Sequence, residues 1–469
     1  MKLLLLLRRR KSNAVFMAFG TKGDVYPIAA IAAAFASDQP QYNVSLITHS
    51  AHQNLIPHLS AKNVSFFHIS TPPLLSAPQD HHISDSFFIR KKMIAKEHRK
   101  ECLIAMERIF GDDSVVEDDF LLINFFALEG WSLAELFRVR CVVAAPYVVP
   151  YSAPSSFERQ FKKTMPHLYM YLQGASTNRV CWKDVTHWMW PLFSEDWGSW
   201  RSYWPSNVKI CGFWSVPMEW QFSCNKCREL SFLFSRRHLD LKDKLCSTHS
   251  SLQQFLMNST SHPPIFLSFS SVGSMGLLRN SRTFLRVLES VMKITSHRLV
   301  LFTAGYEPLD SAIRTLAGEL SCSDQRIYSE DGVLLWNRLY CFSGTIPYNW
   351  LFQRCAAAVH HGGSGSTAAA LQAGIPQIIC PFLLDQFYWA ERMFWLGVAP
   401  EPLQKNLLFL DKDDEACIRK AANVLSNAIN SALSPEIKSR ASAIAERLHL
   451  EDGVGEAVGA LKQEIYGQS

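Results

Sequence analysis

No stretch of this chain approaches the roughly 18 apolar residues that a membrane-spanning helix needs. Its opening run is five leucines at positions 3–7, shorter than the ~7–15 residues of a secretory core, and its heavy charge, Arg8-Arg9-Arg10-Lys11, follows the run instead of preceding it. Residues 1–12 are therefore expected to be a leader before the first strand. Without a secretory signal, the twelve cysteines are expected to remain thiols in a reducing, cytoplasmic compartment, and the sequons at Asn43, Asn63 and Asn258 carry no meaning. A strong charge of either sign is missing too. The net charge of +5 is small and dispersed, which argues against a nucleic-acid partner. Internal repeats and low-complexity blocks are absent. The first glycine turn, Gly20-Thr21-Lys22-Gly23, has the spacing G-x-x-G and not the dinucleotide fingerprint G-x-G-x-x-G, so no NAD site is expected.

What is present suits a large core. Of 469 residues 48% are apolar, and the length corresponds to two or three domains. Short apolar runs at 13–19, 44–48, 64–68, 120–125 and 139–145 alternate with helical segments at 26–37 and 87–110, the pattern of a parallel, doubly wound sheet. A second series of strands is expected from residue 263 onward, near 297–303, 339–342, 355–359 and 377–380, followed by helix from 414 to 463. The expected class is α/β, with two Rossmann-like domains.

One block organises the rest: Val359-His360-His361-Gly362-Gly363-Ser364-Gly365-Ser366-Thr367, then Ala373-Gly374-Ile375-Pro376 and Pro381-Phe382-Leu383-Leu384-Asp385-Gln386. It reads as a buried strand, a glycine-rich turn and a helix N-terminus. Such a turn exposes backbone N–H groups in the positive potential of the helix dipole, a holder for phosphate. Gly362, Gly363 and Gly365 allow close backbone approach. Ser364, Ser366 and Thr367 can add hydroxyl donors, and His361 at the strand end can donate to a phosphate oxygen. Asp385 and Gln386 arrive at the same sheet edge and suit sugar hydroxyls.

The spacing of this block resembles the nucleotide-sugar signature of GT-B glycosyltransferases, in the branch that holds sterol 3-beta-glucosyltransferases and bacterial glycopeptide-type glycosyltransferases. The likeness runs from about residue 342 to residue 400 and implies two Rossmann-like domains facing each other across a cleft. It divides the chain into an acceptor domain at 13–216, a linker or insertion at 217–262, and a UDP-sugar domain at 263–469 whose final helix crosses back to the first domain. Positions 18–27 resemble the opening box of that family, with Lys22 where arginine is usual and Tyr26 where glutamine is usual. The aspartate of that box, here Asp24, is implied as general base; from the residues alone it is as readily a helix N-cap. Residues 263–275 resemble the strand and phosphate-side loop that open the second domain. Ser270 stands where glycine is usual, which leaves Ser271 the first and Ser274 the second candidate phosphate donor. Residues 344–352 resemble the segment facing the uracil ring, with Tyr348 in place of histidine.

The implied reaction is inverting transfer from a UDP-sugar, most simply glucose from UDP-glucose to the 3-hydroxyl of a sterol, with no metal cofactor. Another lipophilic alcohol or phenol is the first alternative, and a non-catalytic nucleotide-sugar or lipid binder on the same scaffold is the second. Aromatic residues crowd positions 152–204, including Trp182, Trp188, Trp190, Trp197, Trp200, Tyr203 and Trp204. They read either as packing of an irregular subdomain or as walls of an apolar acceptor pocket. A basic cluster at Arg90-Lys91-Lys92 and 96–100 reads as a solvated helix face or as peripheral contact with an anionic membrane.

Two further patterns carry metal chemistry in other proteins. Asp411-Lys412-Asp413 contains D-x-D, but its place just before a helix favours capping. Cys224, Cys227, Cys246 and His249 have the spacing C-x2-C-x18-C-x2-H, compatible with zinc. The segment lacks glycines at the turns and cysteine is common along the chain, so the three cysteines are expected to be unrelated thiols.

Overall fold

The computed structural model describes residues 11–72, 85–111, 118–146, 155–176, 179–186, 208–237, 245–257, 262–320, 328–329, 332–383 and 385–467. Two compact units are present. One holds residues 1–146, 210–220 and 451–469, the other residues 147–209 and 221–450.

The first unit is built on a parallel sheet in the order β3-β2-β1-β4-β5, with β1 at Ser12–Met17, β2 at Tyr42–His49, β3 at Val64–Ile69, β4 at Phe120–Ile123 and β5 at Arg140–Val143. Successive residues of β1 serve opposite faces, as the period of a strand requires. Ala14 and Phe16 pack with the helix Lys22–Asp38 through Val25, Ile28, Ala32 and Phe35. Val15 and Met17 pack with the helix Asp85–Phe110 through Cys102, Ala105 and Met106. Cover on both faces explains why these strands are continuously apolar. The helix Gly453–Tyr466 completes the layer: Ala457, Val458, Leu461 and Ile465 join the same core as Phe35. Lys462 pairs with Asp38 at 2.9 Å, and Arg140 donates to the carbonyls of Glu464 and, at 2.9 Å, Ile465.

The second unit carries a sheet in the order β12-β11-β6-β7-β10-β9-β8. Its strands are β6 Ile265–Ser268, β7 Leu299–Phe302, β8 Tyr328–Ser329, β9 Gly332–Leu335, β10 Leu339–Phe342, β11 Ala357–His360 and β12 Gln377–Ile379. Strand β9 runs antiparallel to both neighbours and the other pairs are parallel. The β8–β9 hairpin had no clear sequence signal, being two very short strands. Gly332 is required in it, because a Cβ there would lie 2.6 Å from the Tyr340 ring. The helical tail expected from 414 resolves into Glu415–Ala432, Pro435–Leu448 and the Gly453–Tyr466 helix of the first unit. Within the aromatic stretch, Trp182 packs edge-on against Tyr169 at 4.7 Å and near Phe161 at 5.1 Å. Its other tryptophans, and Tyr203, lie outside the described residues.

Candidate functional site

Register assembles the site. In the second unit His360 at the end of β11 is level with Ser268 of β6 and Ile379 of β12. The segments leaving these three strands, 269–275, 361–366 and 380–386, therefore start from one edge of the sheet, the carboxyl edge where open α/β sheets bind ligands.

The glycine turn is fixed from below by His360, which the motif reading passed over in favour of its neighbour. Gly362 N–H donates to His360 Nδ1 at 3.0 Å, so Nδ1 is the accepting nitrogen. Nε2 then carries the proton and donates to Gln377 Oε1 at 2.9 Å. Burial first, and His361 second, push the His360 pKa down to about 3, with the Gln377 bond opposing. Gly362 has φ of +86°, and a Cβ on it would fall 2.7 Å from Ile379 Cγ2 and 3.1 Å from the Gln386 carbonyl. Both its hand and its size are required. The signal that could have found His360 is its place as the last strand residue, where a polar side chain faces the interior.

His361 lies across Gly363, whose Cβ would meet His361 Nε2 at 2.7 Å. Burial lowers its pKa to about 4, which makes it a neutral imidazole at pH 7. Its Nδ1 is buried with no hydrogen-bond partner among the described residues. The helix begins earlier than expected, at Ser364–Ala373 with Gly363 as N-cap and Gly374 in the left-handed region at its end. Ser364, Gly365 and Ser366 thus form its first turn, whose amides have no carbonyl partner inside the helix. Above Gly365 a Cβ would meet nothing within 4 Å. Ser366 also bonds the Tyr348 hydroxyl, which Ser268 shares. Thr367 is different: its side chain is wholly buried and its N–H closes the turn onto Gly363 O at 3.0 Å. Its hydroxyl is buried with no hydrogen-bond partner among the described residues.

Asp385 is the N-cap residue of the helix Gln386–Trp395, and its Oδ2 accepts from the Trp389 indole at 3.0 Å. Gln386 is buried, and its Oε1 accepts from Phe382 N–H at 2.9 Å and Leu383 N–H at 3.2 Å. The amide oxygen holds the 382–385 turn, while Nε2 has no partner among the described residues and remains a donor. Ser271 is exposed on a helical turn, Ser270–Ser274, where a loop was expected. The D-x-D pattern is absorbed structurally. Asp413 pairs with Arg286, Asp411 lies 3.9 Å from Arg279, and Asp414 caps the next helix by accepting from Cys417 N–H at 2.8 Å.

In the first unit Asp24 is the third residue of its helix, and Thr21 is the N-cap. Its Oδ2 accepts from Thr21 N–H and Thr21 Oγ1, both at 2.7 Å. The carboxylate sits over Gly20, whose φ is +108° and whose Cβ would fall 2.6 Å from Oδ2. Burial raises the Asp24 pKa, and the Thr21 bonds oppose part of that rise. Asn124, fully buried just after β4, was not singled out from sequence. It ties this edge together by exchanging two bonds with the Phe19 backbone, at 3.2 and 2.8 Å, and donating to Asp24 O at 3.3 Å. Strands β1 and β4 flank the switch point of the sheet, the standard ligand position of such folds. Phe126, Leu128 and Trp131, which follow Asn124, are 46, 61 and 53% exposed.

Comparison with known proteins places this geometry. Structural likeness extends over nearly the whole chain. The calicheamicin glycosyltransferase CalG4 superposes with a TM-score of 0.57 at 13% identity, covering 98% of this chain and 99% of that one. UGT71G1 of Medicago truncatula, solved with UDP-glucose, gives 0.54 at 13% identity, covering 97 and 98%. The fold is GT-B. The family-level sequence likeness falls in the second unit. Residues 341–444 match the C-terminal domain of erythromycin biosynthesis protein CIII-like proteins. Sterol 3-beta-glucosyltransferase UGT80B1 of Arabidopsis thaliana is 40% identical over 119 residues, which is 25% of this chain and 17% of that relative.

Proposed function

We propose that the chain is an inverting glycosyltransferase that moves glucose from UDP-glucose to the 3-hydroxyl of a sterol. The observation that carries this reading is the 361–366 turn, with its helix-start amides and neutral His361, inside residues 341–444 that match the erythromycin biosynthesis protein CIII-like C-terminal domain; the partial likeness to sterol glucosyltransferases supports it. In this reading the diphosphate rests on the amides and hydroxyls of residues 362–366, on His361 and on Ser271. These preorganised donors stabilise the charge that develops on the departing diphosphate. Asp385 and the Gln386 Nε2 hold sugar hydroxyls. No divalent ion takes part.

Asp24 takes the acceptor proton as the hydroxyl oxygen attacks the anomeric carbon and the bond to the diphosphate breaks. An ordinary carboxylate is a weak base for an alcohol, and a carboxyl raised by burial is a better one. The exposed Phe126, Leu128 and Trp131, at the same sheet edge, support a lipophilic acceptor. No described helix is long and apolar enough to cross a membrane. Arg90, Lys92, Lys96, Arg99 and Lys100 are exposed on the helix Asp85–Phe110, which supports peripheral contact with an anionic bilayer as the source of sterol.

The deciding experiment is UDP release from UDP-glucose by purified protein, with and without sterol in detergent. Sterol-dependent release with a sterol glucoside in the extract is expected. Release that ignores sterol but responds to other apolar alcohols or phenols would replace the acceptor. Tight UDP binding with no release on any acceptor would make the chain a binding protein.

A further inference from the structure

The three cysteines that the sequence left as unrelated thiols converge with His249. Cys224 immediately precedes the helix Asn225–Arg237 and Cys227 lies in its first turn, while Cys246 opens the short turn Ser247–His249. The Sγ atoms of Cys224 and Cys246 are 3.7 Å apart. His249 Nδ1 is 3.1 Å from Cys246 Sγ and 3.3 Å from Cys227 Sγ. All four ligand atoms lie within 4.8 Å of one another. Cys227, Cys246 and His249 are buried.

We infer that Cys224, Cys227, Cys246 and His249 form a structural zinc site. A tetrahedron with Zn–S of about 2.3 Å and Zn–N of about 2.0–2.1 Å has ligand-to-ligand edges of about 3.6–3.8 Å; the Cys224–Cys246 separation of 3.7 Å falls in that range and the two sulfur–nitrogen separations of 3.1 and 3.3 Å are slightly shorter. A disulfide between Cys224 and Cys246 would need about 2.05 Å, which the 3.7 Å gap excludes. Two chain turns each deliver a pair of ligands with two residues between them, and Cys246 N–H points at Cys227 Sγ at 3.4 Å. Three sulfurs and one imidazole nitrogen close the coordination sphere, so the ion is structural and leaves no open position for chemistry.

Its place in the fold says what it holds. The His249 ring packs on Phe342, the last residue of β10, with centroids 5.5 Å apart. Ser223, next to the first ligand, exchanges bonds with the Thr345 backbone, and Thr345 Oγ1 donates to Gln221 O at 3.0 Å. On the far side Asp310 accepts from Ser343 Oγ at 2.8 Å. The ion would join the turn at 224–227 to the turn at 246–249, and the His249–Phe342 packing and the Ser223–Thr345 bonds tie that clip to the segment after β10 that leads to Tyr348. The metal site itself does not depend on what the donor site binds.

Full-length protein without a polyhistidine tag, freed of loose metal by gel filtration, should carry stoichiometric zinc by mass spectrometry. Cys227→Ser and Cys246→Ser should lose it, and Cys417→Ser, an exposed thiol elsewhere, should keep it. If the serine variants do not fold, cobalt substitution of the wild type decides: tetrahedral ligand-field bands with intense thiolate charge transfer are expected. Absence of bound metal, zinc retained in both serine variants, or a Cys224–Cys246 disulfide found by peptide mapping would each overturn the assignment. None of these readouts depends on glycosyl transfer.

Discussion

Gly362 N–H is bonded to the imidazole of His360, and the same ring is bonded through its other nitrogen to Gln377. The bridge fixes one tautomer and joins β11, β12 and the glycine turn. His360→Phe keeps a ring of similar size but leaves the Gly362 N–H and the Gln377 amide unsatisfied in the interior. A loss of about 2–4 kcal/mol is expected, since each buried unpaired group costs about 1–3 kcal/mol. Denaturant midpoints measure it; an unchanged midpoint would show that the bridge contributes nothing.

The buried histidines make the protein acid-labile. Burial holds His360 near pKa 3 and His361 and His49 near 4, against about 6.5 in an unfolded chain. Between those values the unfolded chain binds protons that the folded one does not, so stability rises with pH. The contribution is complete above about pH 6.5 and drains away as pH falls toward 4, at up to about 1.4 kcal/mol per pH unit for each histidine. Urea unfolding at pH 7.5, 6 and 5 should show the decline, and His361→Gln should make it shallower. A wild-type stability that is flat across this range would contradict neutral burial.

Two glycines separate folding from ligand binding. Gly362→Ala forces a left-handed alanine into Ile379 and the Gln386 carbonyl and should cost about 1–3 kcal/mol. Gly365→Ala meets open space and should leave stability within about 1 kcal/mol of wild type, while weakening UDP because its methyl enters the volume assigned to phosphate. Calorimetric titration with UDP beside thermal melts distinguishes them. Full UDP affinity in Gly365→Ala would move the phosphate elsewhere.

Asp24 has two jobs to tell apart. Asp24→Asn retains an oxygen to accept from Thr21 N–H, so most of the helix cap survives; Asp24→Ala removes it, at about 0.5–2 kcal/mol. If the carboxylate is the base, both variants lose turnover by orders of magnitude and both still bind UDP. Turnover in Asp24→Asn close to wild type would leave Asp24 as a cap only.

Sequence patterning showed the parallel sheets plainly, because strands covered on both faces must be continuously apolar and helices must alternate with them. The strand, glycine turn and helix of the 357–373 block were equally legible, since a buried apolar run, clustered glycines and an alanine-rich segment follow one another directly. What escaped was interaction at a distance. Nothing local marks Asn124 as the clasp between β1 and β4, or His360 as the brace under Gly362, because their partners lie about a hundred residues away or on the next strand. Nothing local tells the buried Thr367 from its serine neighbours in the first turn of the helix Ser364–Ala373. The zinc ligands were read by composition, and composition does not say that two turns meet.

The helix Gly453–Tyr466 supplies part of the core of a unit that otherwise consists of residues 1–146 and 210–220. During synthesis the outer face of Lys22–Asp38 must therefore wait while roughly four hundred further residues are made, on the order of 20–80 s at ribosomal speeds of about 5–20 residues per second. Throughout that interval an alanine-rich apolar surface stands uncovered on the nascent chain. The first unit to emerge is thus among the last to be finished, and a nascent chain stalled before residue 453 would present that surface to chaperones and proteases.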